Sequence, residues 1–153
     1  MTQTGAHKTL IEIFETATID NGDGTTSSLF KQNKTTKEFT NISYPFKPLD
    51  ITKQKDIWFE IKFLDAQPRM IEQGQHSMNN WKGIMQINIC VYKSVTDIDS
   101  YMETAYAAIA EVMKRGVIKD RVHITGCGES SALDNGNYYF VPINVSWYAN
   151  LAN

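Results

Sequence analysis

Cysteine is scarce in this chain: Cys90 and Cys127 are the only two in 153 residues. Two thiols do not make the multiply bridged framework of a small secreted domain. Both fall in apolar, alternating segments, where reduced thiols pack as small apolar side chains. Long hydrophobic runs are missing as well. No stretch approaches the ~20 apolar residues that span a bilayer, and Glu12 and Glu15 interrupt the start, where a signal peptide would need its apolar centre. The expectations are no membrane partner and folding in a cytoplasm. A charge excess is also lacking. Fifteen Lys and Arg stand against 17 Asp and Glu, a net charge of −2, which counts against a binder of nucleic acid that works by an overall basic face.

The residue patterns of common chemistries are absent too. His7, His76 and His123 are scattered, and no zinc-like spacing links them to either cysteine. The run Asp20-Asn21-Gly22-Asp23-Gly24 has the composition of a turn. As a calcium loop it lacks ligands at the required positions and a closing glutamate. No glycine-rich phosphate loop followed by Lys-Ser or Lys-Thr occurs. His123, Thr125, Cys127 and Glu129 are expected on one face of a strand. His123 and Cys127 would then lie ~13 Å apart, too far for a nucleophile pair. No catalytic, cofactor-binding or metal-binding residue is assigned, and the protein is not expected to be an enzyme.

What is present is a composition that is 42% hydrophobic and 21% charged, which suits one domain over 1–153 with a core of its own. Leu10, Ile13, Phe14 and Ala17 recur with helical spacing and predict an amphipathic helix over about 8–18, with Thr9 and Glu12 as a capping box. Residues 20–37 are polar and read as a long loop or hairpin. Lys31, Lys34 and Lys37 form a basic strip there that, with Arg69, is the candidate partner-binding set. Tyr44-Pro45-Phe46-Lys47-Pro48 reads as extended chain.

Period-two alternation marks strands at 57–64 and 83–92, with Ile57, Phe59, Ile61 and Phe63 on one face of the first and Met85, Ile87, Ile89 and Val91 on one face of the second. Residues 66–78 either extend the first strand past a bend or begin a loop. Ile98, Met102, Ala105, Ile109, Val112 and Met113 predict a second helix over about 97–114, capped by Asp97 or Asp99 and ended by Gly116. A strand follows in which Val122, Ile124 and Gly126 alternate with His123, Thr125 and Cys127. After the turn Asp134-Asn135-Gly136-Asn137, a last strand runs from about Tyr138 to Ala149. Pro142 cannot donate to a ladder, which predicts a sheet edge there. The fold class is therefore α+β: a single, mainly antiparallel sheet with both helices packed on one face.

Four segments together resemble the tail-terminator, or tail-completion, family of long-tailed phages and prophages, over roughly Lys8 to Ala149. They are the N-terminal helix; Tyr44-Pro45-Phe46-Lys47-Pro48 followed by Trp58-Phe59-Glu60-Ile61; Trp81-Lys82-Gly83-Ile84-Met85-Gln86-Ile87-Asn88-Ile89, similar to the family's Gly-Ile-x-Gln strand; and a helix with Arg115-Gly116 ahead of Tyr139-Phe140-Val141-Pro142-Ile143-Asn144-Val145-Ser146-Trp147-Tyr148. The resemblance implies a structural protein without catalysis. Its copies would form a ring, a hexamer, that caps the head-proximal end of the tail tube, stops tube polymerisation and joins the tail to the head connector or neck protein. Its partners would be itself, the tail-tube protein and that connector, with nucleic acid only passing through the lumen. It would act in the virion tail after assembly in the host bacterial cytoplasm.

Other readings of the residues are a tail-tube or head–tail connector subunit, a small α/β enzyme with a cleft built from Glu60, Asp65, His76 and His123, and a nucleic-acid module using the three lysines and Arg69.

Overall fold

The computed structural model describes residues 3–54, 56–65, 69–70 and 79–150. Helix α1 spans Gln3–Phe14, so it begins and ends earlier than the expected 8–18. Thr9 is not its cap: the hydroxyl donates back to the Gly5 carbonyl at 3.1 Å, the habit of a threonine inside a helix. The helix closes with a tight turn in which the Thr16 and Ala17 amides donate to Ile13 and Phe14.

Residues 18–39 hold two hairpins, where a long loop or hairpin over 20–37 was expected. Strand β1, Thr18–Asp20, pairs antiparallel with β2, Thr26–Ser28, as a separate two-stranded ribbon. Gly22 and Gly24 supply the positive φ of its turn, +83° and +87°. The Asp20 and Asp23 carboxylates accept the Gly22 and Thr25 amides there, so these acids serve their own turn. A second, smaller hairpin is closed by a bridge between Gln32 and Phe39. Between the two, Phe30 drops into the core against Phe14 and Phe59.

The main sheet contains β3 (Ile42–Ser43), β4 (Ile57–Asp65), β5 (Arg69–Met70), β6 (Asn79–Tyr92), β7 (Ile118–Lys119), β8 (Val122–Glu129), β9 (Leu133–Asp134) and β10 (Tyr138–Asn150). Helix α2, Ile98–Val112, connects β6 to β7. The strand order is β3-β4-β6-β10-β8-β7, with β5 beside β6 and β9 beside β10. The pair β3–β4 is parallel and the other pairs are antiparallel. Two helices and a predominance of strand agree with the α+β expectation, but the sheet is mixed and the β1–β2 ribbon stands outside it. Residues 44–47 are a tight turn and not extended chain: Tyr44 and Lys47 exchange both backbone hydrogen bonds at 3.2 Å. The stretch 66–68 and 71–78 lies outside the described residues.

Both helices share one apolar cluster with the sheet. Leu10 and Phe14 of α1 and Ala105 and Ile109 of α2 are buried with Phe59, Ile61, Ile87, Ile89, Ile143 and Val145. Each large apolar side chain buried this way contributes roughly 1.5–3 kcal/mol. The opposite face of the sheet buries Trp58 beneath the rings of Tyr92 and Tyr138, at 5.0 and 4.7 Å.

Three local expectations fail for local reasons. Asp97 occupies the cap position of α2 in the left-handed region, φ 58°, and its side chain caps nothing. Pro142 is not at a sheet edge, since β10 lies between β6 and β8. Its carbonyl accepts from the Ser130 amide, so its nitrogen also points to that side, where β8 has ended at Glu129 and a single bond from Ser130 takes the place of a full ladder pair. Finally, β8 carries a bulge. Ile124 pairs with Trp147 and Gly126 with Ser146, which leaves Thr125 surplus. Alternation therefore restarts: Val122, Ile124, Cys127 and Glu129 share the helix side, while His123, Gly126 and Gly128 face the other way.

Candidate functional surfaces

An open groove of about 630 Å³ lies beside α1. Its apolar walls are Ile11, Phe39, Ile42, Phe46 and Phe63, and its rim carries Lys8, Glu12, Glu15, Lys37, Glu38 and Lys47. The turn at 44–47 forms one wall. There Phe46 stacks on Tyr44, with ring centroids 5.3 Å apart, yet stays 76% exposed. The Tyr44 hydroxyl donates to Glu15 Oε2 at 2.6 Å. Burial and the Glu15 carboxylate together push the Tyr44 phenol far above its ordinary range, so it stays a donor.

At one end of the groove, His7 stacks on Phe63 with centroids 3.8 Å apart and meets Trp147 edge-on at 5.8 Å. Its Nε2 lies 2.6 Å from Asp65 Oδ2, outside the directions of a hydrogen bond. Gln3 makes that bond instead, donating to the same oxygen at 2.9 Å. Gly83 sits opposite Asp65 in the ladder. A Cβ on Gly83 would lie 2.5 Å from Asp65 Oδ1 and 2.8 Å from the Leu64 carbonyl. The glycine of the third resemblance segment is thus where two strands close in under the N-terminus of α1.

The second surface is the backbone of the sheet itself. Its four long strands are β4, β6, β10 and β8, and both outer members are only partly covered. The two residues of β3 cover β4 at Phe59 and Glu60. The two residues of β7 cover β8 at Val122 and His123. Among the described residues, nothing pairs with β4 along 61–65 or with β8 along 126–129 on the outer side. Exposed strand edges of this kind bind other strands unless they are blocked.

No family model matches the chain, and no curated protein matches it. A solved structure does match, at 11% sequence identity and a TM-score of 0.55, over 74% of this chain and 81% of that one. At such identity the likeness shows a shared fold, and fold alone does not fix function.

The structure does not draw the four cations expected to meet a partner into one patch. Lys31 forms an ion pair with Asp56, just ahead of β4. Lys34 and Lys37 stand on the exposed turn of the second hairpin, Lys37 at the groove with φ 63°. Arg69 lies opposite Asn80, while Val91 of the same strand faces Ile57 beside Asp56. Those two points of β6 are roughly 35 Å apart at the rise of a strand.

The described residues of the cleft considered for an enzyme are not brought together. Glu60 and Asp65 project from opposite faces of β4, and His123 stacks on Tyr148 two strands beyond β6. His76 lies outside the described residues. Burial raises the thiols of Cys90 and Cys127 above their ordinary value, so neither is primed as a nucleophile. Sequence reasoning missed His7, Glu15 and the groove. The signal for the groove was present in Tyr44-Pro45-Phe46-Lys47-Pro48, whose aromatic and proline residues mark a shaped turn.

Proposed function

We propose that this protein is a structural, non-enzymatic subunit of a phage or prophage tail, of the tail-terminator type. Copies form a closed ring, a hexamer, at the head-proximal end of the tail tube. The ring stops tube growth and presents a face to the head connector, with nucleic acid only passing through its lumen. The protein is assembled in the host bacterial cytoplasm and ends in the virion tail.

The observation that supports this best is the sheet whose two outer long strands are, among the described residues, uncovered over several positions. A subunit with two unlike adhesive edges makes head-to-tail contacts, and such contacts close into rings when the rotation per step allows. The four resemblance segments agree with it. They occupy α1, the 44–47 turn with β4, strand β6, and the α2-to-β10 end, which are the elements that build the sheet and its helix layer.

A tail-tube or connector subunit would use the same edges, and a tube protein would continue into a polymer. Light scattering over a range of concentrations, with negative-stain images of the same sample, separates the two. Closed rings of fixed size are expected. Long tubes would replace the terminator reading with a tube protein. A monomer that also fails to bind the ends of purified tail tubes would sink both.

A further inference from the structure

The two open edges have matching chemistry. On β4, the Phe59 amide donates outward to the Asn41 carbonyl at 2.9 Å. By alternation, Ile61, Phe63 and Asp65 also aim their N–H and C=O groups outward. On β8, the Ser130 amide donates inward to Pro142 of β10 at 2.9 Å. By the same alternation, Glu129 and Cys127 aim theirs outward. All six outward-bonding residues lie on the helix side of the sheet. Three antiparallel pairings separate β4 from β8, so the two edges run in opposite directions.

We propose that the open stretch of β8 on one copy pairs antiparallel with residues 61–65 of β4 on the next copy. One continuous sheet then runs through the assembly, with every helix layer on the same side. The inference rests on the ring reading above and names the contact that makes the ring. Direction, bonding parity and facing agree at once because the count of long strands is even. With an odd count, the edges would run the same way. A foreign strand would satisfy one edge, whereas a second copy satisfies both with one contact.

Side chains fit the same pairing. Two registers place Cys127 and Glu129 opposite outward-bonding residues of β4: Cys127 against Phe63 with Glu129 against Ile61, or Cys127 against Asp65 with Glu129 against Phe63. The first sets Leu64 opposite Gly126, and the second sets it opposite Gly128. Leu64 is 55% exposed on the outer face. A Cβ on either glycine would meet nothing within 4 Å, so each leaves room for the leucine of a neighbour.

The test joins two singly substituted proteins. Leu64→Cys is mixed with Gly126→Cys or with Gly128→Cys under mild oxidation. Directly opposed residues at these positions form a non-hydrogen-bonded pair, with Cα atoms about 4.5 Å apart, within reach of a disulfide. An intermolecular bond mapped by mass spectrometry to 64–126 or 64–128 is expected in the mixture. Glu129→Pro, which removes an outward amide that no partner among the described residues uses, is expected to weaken self-association at least tenfold with unchanged circular dichroism. Rings that form without either linkage and tolerate Glu129→Pro would overturn the edge pairing and leave the ring reading standing. Failure of the unsubstituted protein to self-associate, alone or on tail tubes, would overturn both.

Discussion

Tyr44 donates its phenolic hydrogen to Glu15 across 2.6 Å, and that bond ties the 44–47 turn to the end of α1. The turn is a wall of the groove, so the bond sets the shape of that surface. Tyr44→Phe keeps the ring stack on Phe46 and loses only the bond. Chemical denaturation is expected to show a loss of about 1 kcal/mol. Glu15→Gln should cost less, because its amide oxygen still accepts.

Of the glycines described in the sheet, Gly83 is the one with no room for a side chain. A methyl group there would press on the Leu64 carbonyl and the Asp65 Cα at 2.8 and 2.9 Å, and backbone cannot swing aside as a side-chain tip can. Gly83→Ala is expected to destabilise by about 2–3 kcal/mol, read from the denaturation midpoint. A neutral result would mean that β4 and β6 are less close than described.

Phe30 marks the part of the polar segment that is not dispensable. Its ring centroid lies 4.7 Å from that of Phe14 and 4.9 Å from that of Phe59. Phe30→Ala should cost about 3–5 kcal/mol. Replacing Gly22-Asp23-Gly24 with a shorter glycine turn should cost under about 1 kcal/mol, since only exposed residues change. A deletion of 22–36 removes Phe30 as well, so loss of ring formation in that variant would reflect loss of the core. The shorter replacement is the clean test of whether the hairpin reaches a partner.

Asp56 gives a pH dependence of known sign. Burial raises its carboxyl, but hydrogen bonds from the Lys31 ammonium and the Ile57 amide outweigh that and hold it below its ordinary 3.8. A depressed carboxyl stabilises the fold above its unfolded value, and the contribution disappears as pH falls through the folded value. The pair is about half exposed, so Asp56→Asn should cost less than about 1 kcal/mol at neutral pH. Denaturation midpoints of the two proteins should converge in strong acid. A gap that persists there would assign the effect to packing.

Strand alternation was legible in β4, β6 and β10, where one face meets the helices without interruption, and in the stripe of α2, but in β8 it held only up to the bulge. Hydrophobic period does not report sheet order, so Pro142 predicted an edge that the interrupted β8–β9 neighbour made unnecessary. Thr9 offered the pattern of a cap, and α1 continued past it because Ala6 is buried in the same cluster. Phe30 was a single apolar residue among polar ones, too little for periodicity to use. The groove draws on residues from 4 to 63. It needs α1, the second hairpin and the 44–47 turn in place together, a relation that no local pattern encodes.

The extra residue in β8 makes that strand forgiving at one point. Removing Thr125 would leave Ile124 against Trp147 and Gly126 against Ser146, every ladder partner on both sides intact. Removing any residue inside the regular ladder of β6 or β10 would instead turn the rest of that strand over and bury its polar face. Natural variation in chain length within the sheet should therefore concentrate at position 125, and a relative one residue shorter there would keep the same pair of edges.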